Sequence, residues 1–230
     1  MEQRIRAILV TRGAEYNAVG RGLRRANEST VEVLPLPIGS RAVYPHLESL
    51  NLTREKYPAV LVMGLCGSLK PDHGLGDPVF YEGCTYRVEP SSVRFLSCAA
   101  QLNIDVAKRL GKPVPLIKGL TSDRIIWSAY EKRELGKEYD TGVVDMEGFG
   151  ILQALKSTGI DVAMMRVVSD DCHRDIPDLN GAIGPDGSLR PLPLALGMIR
   201  QPARAANLIQ GSLQGLRALQ AITTLLFTQN

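Results

Sequence analysis

Two stretches of this chain constrain its fold more than any others. Residues 59–64 (AVLVMG) are apolar throughout, and residues 161–171 (DVAMMRVVSDD) are nearly so before they end in a polar tip. Apolar runs this short fit strands covered on both faces, because a half-exposed strand alternates and a helix needs more length. Strands of that kind belong to sheets with helices packed on either side.

The rest of the chain supplies the other elements. Residues 4–10 (RIRAILV) read as a strand, and Ala14, Ala18, Val19 and Leu23 follow at helical spacing. Residues 31–36 (VEVLPL) alternate, and Pro35 and Pro37 place that strand near a sheet edge. Further strands are expected over 77–89, with Gly83 at a turn or bulge, over 114–119 and over 142–146. Helices are expected over 101–111, over 122–139 with Ser122 or Asp123 as the cap, and from Glu147 onward. A last helix over 201–227 carries Ile209, Leu213, Leu216 and Leu219 on one stripe. Residues 172–193, rich in Asp, Gly and Pro, read as a long ordered loop over a site. Alternating strands and helices without a boundary argue for one α/β layered domain spanning 1–230.

Composition narrows the partners. A hydrophobic share of 44%, a charged share of 22% and a net charge of +3 are those of an ordinary globular protein. The short basic run at 21–26 (RGLRRA) reads as an exposed helix face, so nucleic acid is not an expected partner. Cys66, Cys84, Cys98 and Cys172 lack C-x-x-C spacing and a nearby histidine pair, so free thiols in a reducing cytosol are expected and no metal site. No apolar run is long enough to span a bilayer, and residues 1–16 lack signal-peptide features. A cytoplasmic protein is the expectation.

In open α/β sheets ligands collect beyond the carboxyl ends of the strands. Four such ends carry polar or glycine-rich residues: Glu15, the loop 64–71 (GLCGSLKP), Met146-Glu147 and Ser169-Asp170. Each alone has a plainer role. Glu15 and Glu147 suit the first turn of a helix, Met146 suits a core, and Ser169 and Asp170 could cap a turn. The glycine loop lacks the pattern of a nucleotide-triphosphate loop. Together, three carboxylates at one rim suit a site that stabilises positive charge and moves protons. Arg12, Arg41 and Arg87 are candidate anion binders that read better as surface charges. Asp145 and Glu147 interrupt an apolar stretch, and isolated buried carboxylates are costly. If a helix begins at Glu147 the two diverge, Glu147 toward a site and Asp145 toward a structural partner.

Three segments then carry a family resemblance: VLVMGLCGSLKPDHGLGDPVFYE, VVDMEGFGILQA and VAMMRVVSDD. In this order and spacing they resemble the core motifs of the nucleoside phosphorylase and nucleosidase superfamily. The segment CHRDIPDLNGAIGPDGSLRP also resembles the end of its hopanoid-associated phosphorylase branch. The resemblance implies a single three-layer α/β domain whose central mixed, partly barrel-like sheet is flanked by helices. It implies cleavage of a ribosyl N-glycosidic bond in a small-molecule nucleoside, without organic cofactor or metal, by a homo-oligomer. Carried over, Glu147 would hold the ribose hydroxyls and Met146 would pack on the sugar. Asp170 would donate a proton or a hydrogen bond to the purine, and Ser169 would orient it. Glu15 resembles the carboxylate that positions the attacking water in nucleosidases. Gly64, Leu65, Cys66 and Gly67 would line the site, and Ile125 falls where nucleosidases place a base-stacking phenylalanine.

One departure bears on the nucleophile. Many phosphorylases carry Ser or Thr where this chain has Leu65, and losing that hydroxyl favours water over phosphate. The leading expectation is therefore a purine nucleosidase. The alternatives are a phosphorylase with phosphate as co-substrate, acting on an adenosyl-linked lipid precursor, and a non-catalytic nucleoside-binding relative. Retention of Glu147 and Asp170 together argues against the last.

Overall fold

The computed structural model describes residues 5–89 and 92–228. Among them, eight strands form one mixed sheet. They are β1 (Ala7–Thr11), β2 (Glu32–Leu36), β3 (Ala59–Ser68), β4 (Pro78–Glu89), β5 (Ser92–Ser97), β6 (Leu116–Thr121), β7 (Val143–Asp145) and β8 (Asp161–Asp170). Strands β3, β7, β6, β4 and β8 pair in a closed ring, while β1 and β2 extend it from β3 and β5 extends it from β4. This is the mixed, partly barrel-like sheet expected. Around it lie α1 (Ala14–Arg25), α2 (Ser40–Ser49), α3 (Ala100–Lys108), α4 (Ala129–Glu138), α5 (Gly148–Leu155), α6 (Pro191–Arg200) and α7 (Pro202–Phe227).

The continuous apolar runs are explained by the two cores they serve. Side chains alternate across a strand, so Val60 and Val62 of β3 enter one core while Leu61 and Met63 enter the other. In β8, Val162 and Met164 join the first core and Ala163 and Met165 the second. The two strands run parallel in register from Ala59 opposite Asp161 to Cys66 opposite Val168, then shift so that Gly67 faces Asp170. Their polar ends are thereby brought side by side. Proline-bearing β2 is at the sheet edge, and Gly83 marks a register shift between β4 and β6, both as expected.

Several elements differ from the sequence reading. Arg4, where the first strand was expected to begin, lies outside the described residues. The helix expected over 122–139 starts only at Ala129, where the Ser128 hydroxyl accepts the Glu131 N–H at 3.4 Å. Residues 122–128 are instead loop, tied to the segment after β8 by the Ile176 N–H donating to the Trp127 carbonyl. Three elements had no clear local signal: α2, which contains Pro45, the exposed strand β5, and α6, which begins inside the expected loop.

The last helix turns Leu216 and Leu219 of the expected stripe inward but leaves its other half outside. Ile209 and Leu213 are half exposed, while Gly211, Gly215, Leu219 and Ile222 face inward. The reason is close approach to β8, since a Cβ on Gly211 would overlap the Ser169 carbonyl oxygen. Gly211→Ala is therefore expected to cost about 1–3 kcal/mol through overpacking. Urea unfolding measures this directly, and an unchanged midpoint would contradict the close packing.

Candidate active site

A cleft of about 690 Å³ opens beyond the ends of β1, β3, β7 and β8. It gathers the four strand-end signals: Glu15, then Leu65, Cys66 and Gly67, then Met146 and Glu147, then Ser169 and Asp170. Ile125 also lines it, from the loop after β6. Gly64 does not. Its contribution is room, because a Cβ there would overlap the Arg166 guanidinium and the Glu15 carboxylate. Arg12 is exposed at the cleft's edge, whereas Arg41 pairs with Asp123 at 3.0 Å and Arg87 faces solvent.

Arg166 organises one end of the site. It sits in the middle of β8, fully buried, with Nη2 3.1 Å from Asp145 Oδ2 and 3.7 Å from Glu147 Oε2. Asp145 thus has the structural partner its burial required. It also accepts the Thr121 hydroxyl at 2.8 Å and the Gly148 N–H at 3.1 Å, which fixes the start of α5. Glu147 diverges from it, as expected for a residue at the helix start, and accepts the Gly39 N–H at 2.9 Å. The Ser40 hydroxyl donates to the Met146 carbonyl at 3.0 Å, so the start of α2 holds both residues in place. Glu15 reaches over from α1 to accept the Leu65 N–H at 3.0 Å.

The charge balance here is unequal: Glu15, Asp145 and Glu147 surround one guanidinium. Burial pushes the Glu147 carboxyl up to about 7, with Arg166 opposing and Asp145 adding to the rise. Burial raises Glu15 as well, against the pull of Arg166 and the Leu65 amide. Burial also raises the Cys66 thiol, which makes it a wall of the cleft and a poor nucleophile at neutral pH.

Asp170 forms the second cluster. The Ser169 hydroxyl lies 3.0 Å from Asp170 Oδ1 and 3.3 Å from the Cys66 carbonyl. The other oxygen is ion-paired with Lys132 of α4, whose side chain is completely buried. Lys132 also donates to the Asp171 carbonyl at 3.1 Å. Neither Arg166 nor Lys132 was singled out from sequence. The signal for Arg166 was a lone cation inside an apolar strand. Lys132 has no such signal in the charged stretch YEKRELGKE.

The loop after β8 closes the far end. A 3-10 turn at Asn180–Ala182 lets Asn180 bracket Ile125, accepting its N–H at 2.7 Å and donating to its carbonyl at 3.2 Å. Beyond it Ile176, Leu179, Ile183, Leu189 and Leu194 make this end of the cleft aliphatic. Among the described residues, no group of three or more His, Cys, Asp and Glu side chains could hold a metal ion, and no helix is long and apolar enough to cross a membrane.

The model of the phosphorylase superfamily matches residues 47–182, more than half of the chain. This chain belongs to the phosphorylase superfamily, a family of enzymes. No curated protein matches it at the sequence level. Solved structures do. A Francisella philomiragia protein assigned as a 5′-methylthioadenosine/S-adenosylhomocysteine nucleosidase is 17% identical at a TM-score of 0.67, with 95% of this chain and 96% of that one covered. The 5′-methylthioadenosine/S-adenosylhomocysteine nucleosidase of Helicobacter pylori is 14% identical at 0.65, covering 96% and 98%. Futalosine hydrolase of Helicobacter pylori is 16% identical at 0.65, covering 94% and 95%. At these identities the likeness establishes the fold: a single α/β domain built on a partial barrel.

Proposed function

We propose that this superfamily member, working as one unit over residues 1–230, hydrolyses the ribosyl N-glycosidic bond of a purine-type nucleoside. The observation that carries the reading is the placement of Glu15. Its carboxylate occupies the Leu65 amide of the glycine-rich loop and sits beside Glu147 and Arg166. A phosphate dianion would need that amide and would be repelled by the carboxylates, whereas a water would be polarised by them.

The remaining residues fit the same chemistry. Breaking the C1′–N bond develops positive charge on the sugar. Glu147 stabilises that charge and accepts from the ribose hydroxyls, with Met146 packed beneath the sugar. Asp170, oriented by Ser169, serves the departing base, and Ile125 flanks it. The chemistry uses side chains alone. Two structural neighbours are named for hydrolysis of nucleoside-type compounds, which supports this reading. Exposed Val93 and Phe95 on edge strand β5 support a homo-oligomer, and buried free cysteines support a cytoplasmic setting.

The test is a panel of nucleosides incubated with and without phosphate while free base is followed. Release without phosphate supports the proposal; release only with phosphate overturns hydrolysis, and binding without release overturns turnover. A second expected result concerns pH. Glu147 must be ionised to stabilise a cation, and its carboxyl stands at about 7, so kcat/KM should fall about tenfold per pH unit below that value and level off above it. The stability effect has the opposite sign. A carboxyl raised from 4.5 to about 7 on folding stabilises the protein at low pH, and that contribution fades as pH rises through about 7. Glu147→Gln should accordingly gain stability relative to wild type between pH 5 and pH 8, as read by thermal melts.

The aliphatic end of the cleft favours one further reading of the substrate. Ile176 and Leu179 are buried in its wall, and Leu189 at its edge is 50% exposed. Such a wall suits an apolar 5′ substituent, as an adenosyl-linked lipid precursor carries. Arg12 would then be the phosphate ligand if cleavage were phosphorolytic. The same panel, extended with 5′-alkylthio adenosines of increasing chain length, separates these cases.

A further inference from the structure

Asp170 is held in a way that does not suit a lone acid. The Ser169 hydroxyl approaches one carboxylate oxygen and the Lys132 ammonium is paired with the other, so both oxygens act as acceptors. A departing purine nitrogen nevertheless needs a proton. The strongest acid in contact with Asp170 is the Lys132 ammonium, and a hydroxyl is far weaker. Burying an ammonium is costly, and an exposed lysine would serve helix α4 as well. The fold accepts that cost and anchors it. The Ala129 N–H donates to Asp175 Oδ1 at 2.9 Å, and Lys132 itself donates to the Asp171 carbonyl, so α4 is fixed to the segment that follows Asp170. Oδ2, the oxygen paired with Lys132, also faces Gly67 in the cleft wall, where a Cβ would stand 2.6 Å from it. The missing side chain leaves that oxygen open to a ligand.

We infer that Lys132 acts through Asp170 as the source of the leaving-group proton, an inference that rests on the glycosidase reading above. As the C1′–N bond breaks, its electron pair goes to the base nitrogen. The Lys132 proton passes to Asp170 Oδ2 and from there to that nitrogen, leaving a neutral amine and restoring the carboxylate. Water adds its oxygen to C1′ and gives its proton to Glu15. Return of that proton through solvent and Asp170, which reaches the cleft, recharges Lys132 and closes the cycle. Lys132 touches no substrate; it positions and charges the acid that does.

The experiment compares wild type, Lys132→Met, Lys132→Arg, Asp170→Asn and the double variant Lys132→Met/Asp170→Asn at pH 8. Two substrates are used: a purine nucleoside and 4-nitrophenyl β-D-ribofuranoside, whose phenolate departs without a proton. Lys132→Met and Lys132→Arg should each lower kcat on the nucleoside about 100-fold with KM little changed, because arginine keeps the charge but does not release a proton. Both should keep kcat on the nitrophenyl riboside within about threefold, which also shows that they fold. The double variant should be no slower than Asp170→Asn, since residues acting as a unit are not additive. Equal losses on both substrates, multiplicative losses in the double variant, or recovery of nucleoside cleavage by Lys132→Arg would each overturn the relay while leaving the glycosidase reading intact. A wild type inactive on both substrates would overturn the glycosidase reading and the relay with it.

Discussion

Glu15→Gln is expected to lower phosphate-independent base release by about 100- to 10,000-fold, the range associated with a general base. The substitution is mild structurally. Glutamine keeps an oxygen for the Leu65 N–H, so the loop after Met63 should hold its shape. What it loses is the negative charge that draws a proton from water. The same change discriminates the nucleophile. If phosphate attacks instead, removing a carboxylate from its approach should raise phosphate-dependent turnover. Base release followed by absorbance, with and without phosphate, reads both outcomes. Unchanged hydrolysis would remove Glu15 from the mechanism.

Arg166→Met should have the largest effect on stability. Among the described residues, the guanidinium is the one cation paired with Asp145 and Glu147 and acting on Glu15, and Asp145 and Glu147 are both buried. Taking it away leaves buried carboxylates without compensation, at a cost of about 3–5 kcal/mol. For a chain of this size that corresponds to a fall in Tm of roughly 6–20 °C. The fall should be smaller at pH 5 than at pH 8, because carboxyls deprived of the cation can take up protons instead. A melting curve that is unchanged at pH 8 would show that the pair is not what holds this end of β8.

Much of the fold was legible because burial on both faces leaves a direct mark on sequence. Strands β3 and β8 read as apolar runs because successive side chains enter two different cores. The functional rim was legible for a related reason. Glycines and carboxylates at strand ends stand out against such runs, and Glu15, Glu147 and Asp170 all reach the cleft they were expected to share. Other features left weaker marks. On the last helix Leu216 and Leu219 pack inward as expected but Ile209 and Leu213 do not, because Gly211 and Gly215, with no side chain to signal a face, mark the one that approaches β8. The helix assigned from Ser122 begins only at Ala129, capped by Ser128, because residues 122–128 are drawn into contacts with the distant Asn180 and Ile176.

By itself, the order of residues determined the α/β class, the strand ends that bear chemistry and the divergence of Asp145 from Glu147. Only the tertiary structure decided which charges meet. Lys132 reaches Asp170 because α4 packs on Leu69, just past the end of β3 that pairs with β8, and Arg166 reaches Asp145 because β7 and β8 both border β3. Each such pair joins residues far apart in the chain. The periodicity of a strand or helix specifies which face a residue occupies, but the charge it meets there is set by how those faces dock.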